Sequence, residues 1–130
     1  MKLTHNQVVD ADLAHNHPDQ NPTQAKIALA NELHNPGGRQ FRFGDTIFVV
    51  RNTYNSTAKF HAINAAKATD FVGNLKKFFD AMKHLKYKLI TTEVNNKKII
   101  DVARKTGADI SFVQTKDEKG SPQFNVKVRL

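Results

Sequence analysis

AKFHAINAAKATDFVGNLKKFFDAMKHLKYKLITTEV, residues 58–94, places a strand, a long helix and a second strand in direct succession. Over 58–65, Phe60, Ala62 and Asn64 alternate with His61, Ile63 and Ala65, the period of two that a strand requires. From 70 to 87 the period changes. Phe71, Val72, Leu75, Phe78, Phe79, Met82 and Leu85 follow helical i, i+3, i+4 spacing, and Lys76, Lys77, Asp80, Lys83 and His84 take the other side. Leu89 and Ile90 then begin a buried strand over 88–94. A strand–helix–strand crossover is right-handed and makes its two strands parallel.

Upstream, Phe41 and Phe43 alternate, Gly44-Asp45 is a two-residue turn, and Ile47, Phe48, Val49 and Val50 form a run that reads as buried on both faces. With 58–65 these strands make an antiparallel meander. Asn21, Pro22 and Gln24 start an earlier helix, which carries Ala25, Leu29 and Leu33 and stops at 35–38. Residues 1–20 read as a poorly defined segment, mostly loop, with Val8, Val9 and Leu13 its strong apolar residues after Leu3. Downstream, Asn95 or Asn96 caps a helix bearing Ile99, Ile100, Val102 and Ala103, and Gly107 ends it. Two strands close the chain, one with Ile110, Phe112 and Gln114 on a face, the other with Phe124, Val126, Val128 and Leu130. The sum is an α+β fold, a mixed and mainly antiparallel sheet with one parallel pair (58–65 and 88–94) and helices on both faces, in a single domain over 1–130.

Composition narrows the function. The 130 residues contain no cysteine, which removes disulfides, thiolate metal sites and cysteine nucleophiles. There is no long apolar run for a membrane span and no signal-like segment at the start, so a cytoplasmic location is expected. The net charge of +8 is unevenly spread: 1–38 carries two lysines against four acids, and all the remaining excess of base lies beyond. Such a balance suits an acidic macromolecular partner, and it equally suits a solvated basic surface.

The element order, with Asn96, Ile99, Ile100, Val102, Ala103, Lys105, Gly107 and Ala108 on the spacing of a late family motif, resembles the GNAT fold of the Gcn5-related N-acetyltransferases. The resemblance covers 22–130 as topology and 58–112 as motif. The chain is also similar to short GNAT-like internal virion proteins of short-tailed bacteriophages, which would place it in host cytoplasm or virion. In the family, acetyl-CoA lies where the fourth and fifth strands splay, with its pyrophosphate on the next helix N-terminus. The resemblance implies that the backbone of Ile63 and Ala65 would pair with the pantetheine arm, that Phe71, Val72, Gly73 and Asn74 would face the pyrophosphate, and that Asn96 would start the next helix of the site. It makes Glu93 the candidate general base, and His61 has a similar claim.

Two departures count against catalysis. The family's Gln/Arg-x-x-Gly-x-Gly/Ala loop is met by Lys67, Asp70 and Val72, so only the basic residue survives. A carboxylate at Asp70 would satisfy the helix-end N–H groups and repel a pyrophosphate; it equally suits an ordinary first-turn acid. Where the family often carries a Tyr as general acid, this chain has Ala103.

The reading preferred on these grounds is a binding or accessory protein with no cofactor, its strand gap filled by Phe60 or Phe71. The alternative is an acetyl-CoA-dependent N-acetyltransferase with an open gap. A third is a nucleic-acid-binding protein with Lys76, Lys83, Lys97 and Arg104 gathered on one face. The partner is then a protein or nucleic acid, and a homodimer could form through the closing strand at Leu130. His5, His15 and His17 with Asp10, Asp12 and Asp19 have metal-ligand chemistry but no convincing third ligand, so a solvated tail and no metal are expected.

Overall fold

The computed structural model describes residues 3–16, 21, 23, 24, 26, 27 and 38–130. In chain order the elements are α1 (His5–Asn16), β1 (Gly38–Phe43), β2 (Thr46–Tyr54), β3 (Thr57–Asn64), α2 (Ala68–His84), β4 (Leu89–Val94), α3 (Lys97–Arg104), β5 (Asp109–Lys116) and β6 (Pro122–Arg129). The six strands form one sheet in the order β1-β2-β3-β4-β6-β5. All neighbours are antiparallel except β3 and β4, which run parallel across the α2 crossover, as the strand–helix–strand pattern predicts. The mixed α+β sheet with one parallel pair is thus the observed architecture.

Local chemistry explains the boundaries. Gly44 turns β1 into β2 with a positive φ of 57°, and a Cβ there would stand 3.2 Å from the Asn74 side chain. The Asn96 side chain caps α3, accepting the Lys98 N–H at 2.9 Å. Gly107, at φ 83°, breaks the chain away from that helix. Asn21 accepts the N–H groups of Thr23 (2.9 Å) and Gln24 (3.3 Å), and Thr23, Gln24, Lys26 and Ile27 are helical. The rest of that expected helix, with Pro22, Ala25, Leu29, Leu33 and the 35–37 stop, lies outside the described residues, as does His17.

The sheet separates two cores. On one face α2 and α3 pack over Phe48, Phe60, Ile90, Val126 and Val128, with Phe78 stacked on Phe48 at a centroid distance of 4.1 Å and an interplanar angle of 2°. On the other face α1 places Val8, Val9 and Leu13 against Ile47 and Val49. The run at 47–50 is therefore buried on both sides, as its composition predicts.

Two expectations are corrected. Part of the 1–20 segment is an ordered helix, not a loop or solvated tail. Thr4 and Gln7 form a reciprocal capping box: the Thr4 N–H donates to Gln7 Oε1 at 2.8 Å, and the Gln7 N–H donates to Thr4 Oγ1 at 3.2 Å. Arg42 clamps the start of this helix, donating to His5 Nδ1 at 2.9 Å, to the Leu3 carbonyl and to Asp45. The strand ending at Leu130 has no free edge either, because β6 lies between β4 and β5. Among the described residues, β1 and β5 form the outer edges.

Candidate active site

The parallel pair opens after three registered positions: Thr57 with Leu89, Ala58 with Ile90, Lys59 with Thr91. Beyond them β6 keeps β4 to itself as far as Val94, while β3 stays with β2 as far as Asn64. The strands diverge because each is tied to its other neighbour. Between them lies a cleft of about 980 Å³, lined among others by His61, Ala62, Phe71, Glu93, Lys98 and Ala103. That is near the upper end of ordinary ligand pockets, roughly 300–1,000 Å³. The gap is open where the preferred reading expected it filled. Phe60 packs under α2, 5.1 Å from Phe78 between centroids, and it and Phe71 both stand at the cleft wall without closing it.

The β3 edge facing this cleft can be read from its hydrogen bonds. The Ala65 N–H donates to the Asp45 carbonyl at 2.9 Å. Antiparallel pairing alternates the direction of these groups along a strand, so Ile63 shares that orientation toward β2. The groups turned toward β4 belong to Phe60, Ala62 and Asn64. The Asn64 N–H is taken by Asp12 of α1, whose carboxylate accepts it at 3.1 Å. The Asn64 side chain then locks the exit from the strand, accepting from Thr46 Oγ1 at 2.7 Å and from the Ala66 N–H at 3.0 Å. Ala62, beyond the last position paired with β4, presents strand-type donors and acceptors to the cleft.

Helix α2 begins at the same end. Its N-cap, Lys67, makes no side-chain capping bond, and Asp70 is the acid of its first turn. The helix end therefore offers first-turn N–H groups with a cationic residue before them and a carboxylate beside them.

The sequence-derived residues separate into those that line the cleft and those that do not. Ala65, Phe71 and Glu93 line it, with His61 and Ala103. Glu93 is exposed, and its Oε2 accepts from Gln123 Nε2 at 2.9 Å. Ile63 packs with the α1 core on the other face. Asn74 is buried and donates to Thr46 Oγ1 at 3.0 Å, so it holds α2 to the sheet and does not face the helix end. Val72 and Gly73 stand outside the cleft lining, and Asn96 is spent on its own helix cap. Lys76 and Lys83 line a separate groove of about 260 Å³ with Asp80, Asp109 and Arg129. Lys97 and Arg104 lie over the Phe112 ring, at 5.7 Å and 5.3 Å from its centroid. The four candidate nucleic-acid contacts thus sit as two pairs, one beside acids and one on an aromatic face. Sequence reasoning missed Asp12 and Gln123 as parts of this cleft. Asp12 was hidden by the loop reading of its segment, and the signal that finds it is the Thr4–Gln7 capping box.

With this geometry in hand, comparison with known proteins is informative about the fold. No protein-family model matches the chain, and no curated protein does. Solved structures do. A GNAT-family probable acetyltransferase from Chromobacterium violaceum is similar over 100% of this chain and 85% of its own, with a TM-score of 0.70 at 11% identity. A spermidine N-acetyltransferase variant from Vibrio cholerae is similar over 99% and 93%, with a TM-score of 0.68 at 11% identity. An acetyltransferase from Bacillus subtilis, in complex with CoA, is similar over 100% and 95%, with a TM-score of 0.60 at 13% identity. The fold is the GNAT fold. Among the described residues, no helix is long and apolar enough to cross a membrane.

Proposed function

We propose that this protein is an acetyl-CoA-dependent N-acetyltransferase that holds its thioester in the cleft between β3 and β4. The observation that carries the reading is the cleft itself, open for about 980 Å³ beyond three paired positions. The splayed strands leave a backbone edge of β3 that no other strand of the sheet pairs. Here Ala62 supplies the N–H and C=O that an amide-containing arm would pair with, as an added strand does. Lys67 and the first-turn N–H groups of α2 would hold the pyrophosphate, with Asp70 opposing them.

The chemistry follows from the lining. The acceptor nitrogen attacks the thioester carbonyl carbon, the carbon–sulfur bond breaks, and CoA leaves as its thiolate. Glu93, a carboxylate of the cleft lining, would take the proton that the amine gives up. Its Oε2 is held by Gln123, and its Oε1 carries no bond among the described residues. With alanine at 103, the thiolate takes its proton from water. Asp12, Glu93 and Asp117 face a single Lys98 around the cleft, a balance that draws in a cationic amine acceptor despite the basic chain.

Calorimetric titration with acetyl-CoA tests the reading. Micromolar affinity, followed by turnover with a member of a panel of small amines, is the expected result. No heat at millimolar acetyl-CoA overturns it. Binding without turnover of any amine would leave a CoA-binding protein that is not an enzyme.

A further inference from the structure

The face of the sheet that carries α1 has a second half, away from Ile47 and Val49. Strand register fixes which side chains share it. Arg51 stands opposite Lys59, Lys59 opposite Thr91, Thr91 opposite Lys127, and Lys127 opposite Ser111. Cross-strand partners project to the same side, so these five form one row across the sheet. Their chain neighbours Val50, Ala58, Ile90 and Val128 belong to the core under α2, so the row points the other way. Arg51, Lys59 and Lys127 are exposed. A second row runs beside the first through Tyr54, Thr57, Leu89 and Arg129, and at its Arg129 end it meets the rim of the groove that holds Lys76 and Lys83. Tyr54 is 75% exposed, on the hairpin whose tip residues Asn55 and Ser56 have positive φ.

The result is a strip with four cations, two threonine hydroxyls and one exposed aromatic ring. Its acid is Asp109, at the outer strand opposite Arg129. Among the described residues the ion pairs are Lys26–Asp10 and Arg42–Asp45, so none of the four cations is neutralised in that way. Neighbouring strands are about 4.8 Å apart, so three strand steps carry the row from Arg51 to Lys127 over about 14 Å. A row of cations along a sheet face repels a second copy of itself and fits a linear polyanion.

We propose that this half of the sheet binds single-stranded nucleic acid, with Arg51, Lys59, Lys127 and Arg129 on the phosphates and the Tyr54 ring under a base. Thr57 and Thr91 add hydroxyl donors for phosphate or sugar oxygens. The exposed tyrosine is what selects a single strand, because only unstacked bases offer a face to an aromatic ring. This surface differs from the helix lysines that the sequence points to, and it does not depend on chemistry in the β3–β4 cleft.

Fluorescence anisotropy of a labelled mixed-sequence 20-mer, single-stranded and duplex, against the full chain tests it. Single strands lose about 0.7 log units of affinity per contacted phosphate for each log unit of salt, so four contacts give a slope of about −3. Reversing two exposed charges, Lys59→Glu with Lys127→Glu, is expected to weaken single-strand binding tenfold or more and to leave acetyl-CoA titration unchanged. Tyr54→Ala is expected to cost fivefold or more on the single strand and little on the duplex. The control pair Lys77→Glu with Lys97→Glu, exposed on α2 and α3, is expected to bind as the parent does. The proposal is overturned if the parent shows no binding in 50 mM salt, if the control pair loses as much as the test pair, or if the duplex binds as tightly as the single strand. It is also overturned if polyglutamate competes as well as the unlabelled oligonucleotide, which would make an acidic protein the partner.

Discussion

Asp70 and Lys67 meet at the start of α2 with opposite consequences for an anion. A carboxylate near a helix N-terminus gains about 0.3–1 kcal/mol from the unpaired N–H groups, and a phosphate brought to the same place must compete with it. Replacing Asp70→Gly removes the competitor and is expected to tighten acetyl-CoA binding about two- to fivefold, as calorimetry would read it. An unchanged or weaker affinity would show that the pyrophosphate does not sit there. Glu93 admits a sharper test. Glu93→Gln keeps the shape and the contact with Gln123 but cannot accept a proton, so kcat is expected to fall about 10²-fold or more with KM little changed. A rise in KM alone would make Glu93 a substrate-binding group. Ala103→Tyr introduces a phenolic proton donor into the cleft lining. It is expected to raise turnover only if departure of the thiolate limits the rate.

At the scale of elements, α1 shows what a sequence conceals. Residues 58–112 are legible because their helices and strands have unbroken periods, and because Asn96 and Gly107 mark the ends of α3 in the residue types such ends require. Helix α1 has Val8, Val9 and Leu13 but no continuous apolar stripe, and its His and Asp residues read as a solvated loop. Its stability comes from contacts distant in sequence: Val8 and Leu13 on β2, Asp12 on Asn64, and Arg42 at its start. The cleft was legible as the open gap of the alternative reading, with Ala65, Phe71 and Glu93 on its walls, but its backbone edge was not, because a strand's inner and outer edges look alike in sequence. Only the register reveals that Ala65 faces β2 and that Asn74 is spent on Thr46. Loss of the Asp12 carboxylate should therefore act on both α1 and the cleft edge. Asp12→Ala leaves the Asn64 N–H without its charged acceptor and is expected to cost about 1.5–3 kcal/mol in urea unfolding. A cost below about 0.5 kcal/mol would mean that α1 is docked by its apolar residues and the Arg42 clamp without help from Asp12.

Across the whole molecule, two cores of unequal size share one sheet, and the cleft borders both. The larger core joins α2 and α3 to the sheet, with the Phe48–Phe78 stack fixing α2 on β2, and the smaller holds α1 through a handful of aliphatic side chains. Regions with fewer buried apolar contacts open locally at lower free energy than the whole chain. Native-state hydrogen exchange is thus expected to show α1 amides opening below the free energy that governs β2, β3 and the middle of α2. A ligand in the β3–β4 cleft touches walls supplied by both layers, since Ala11 and Asp12 of α1 line it together with Phe71 of α2. Binding at 100 times Kd stabilises the native state by about 2.7 kcal/mol, and any local opening that destroys the site must overcome that same amount. Saturating acetyl-CoA is therefore expected to slow exchange in α1 as well as in α2, although α1 lies on the opposite face of the sheet. Protection confined to α2 would show that the ligand rests on the helix end without reaching the Asp12 wall. In that case the cleft would be narrower in use than its 980 Å³ allows.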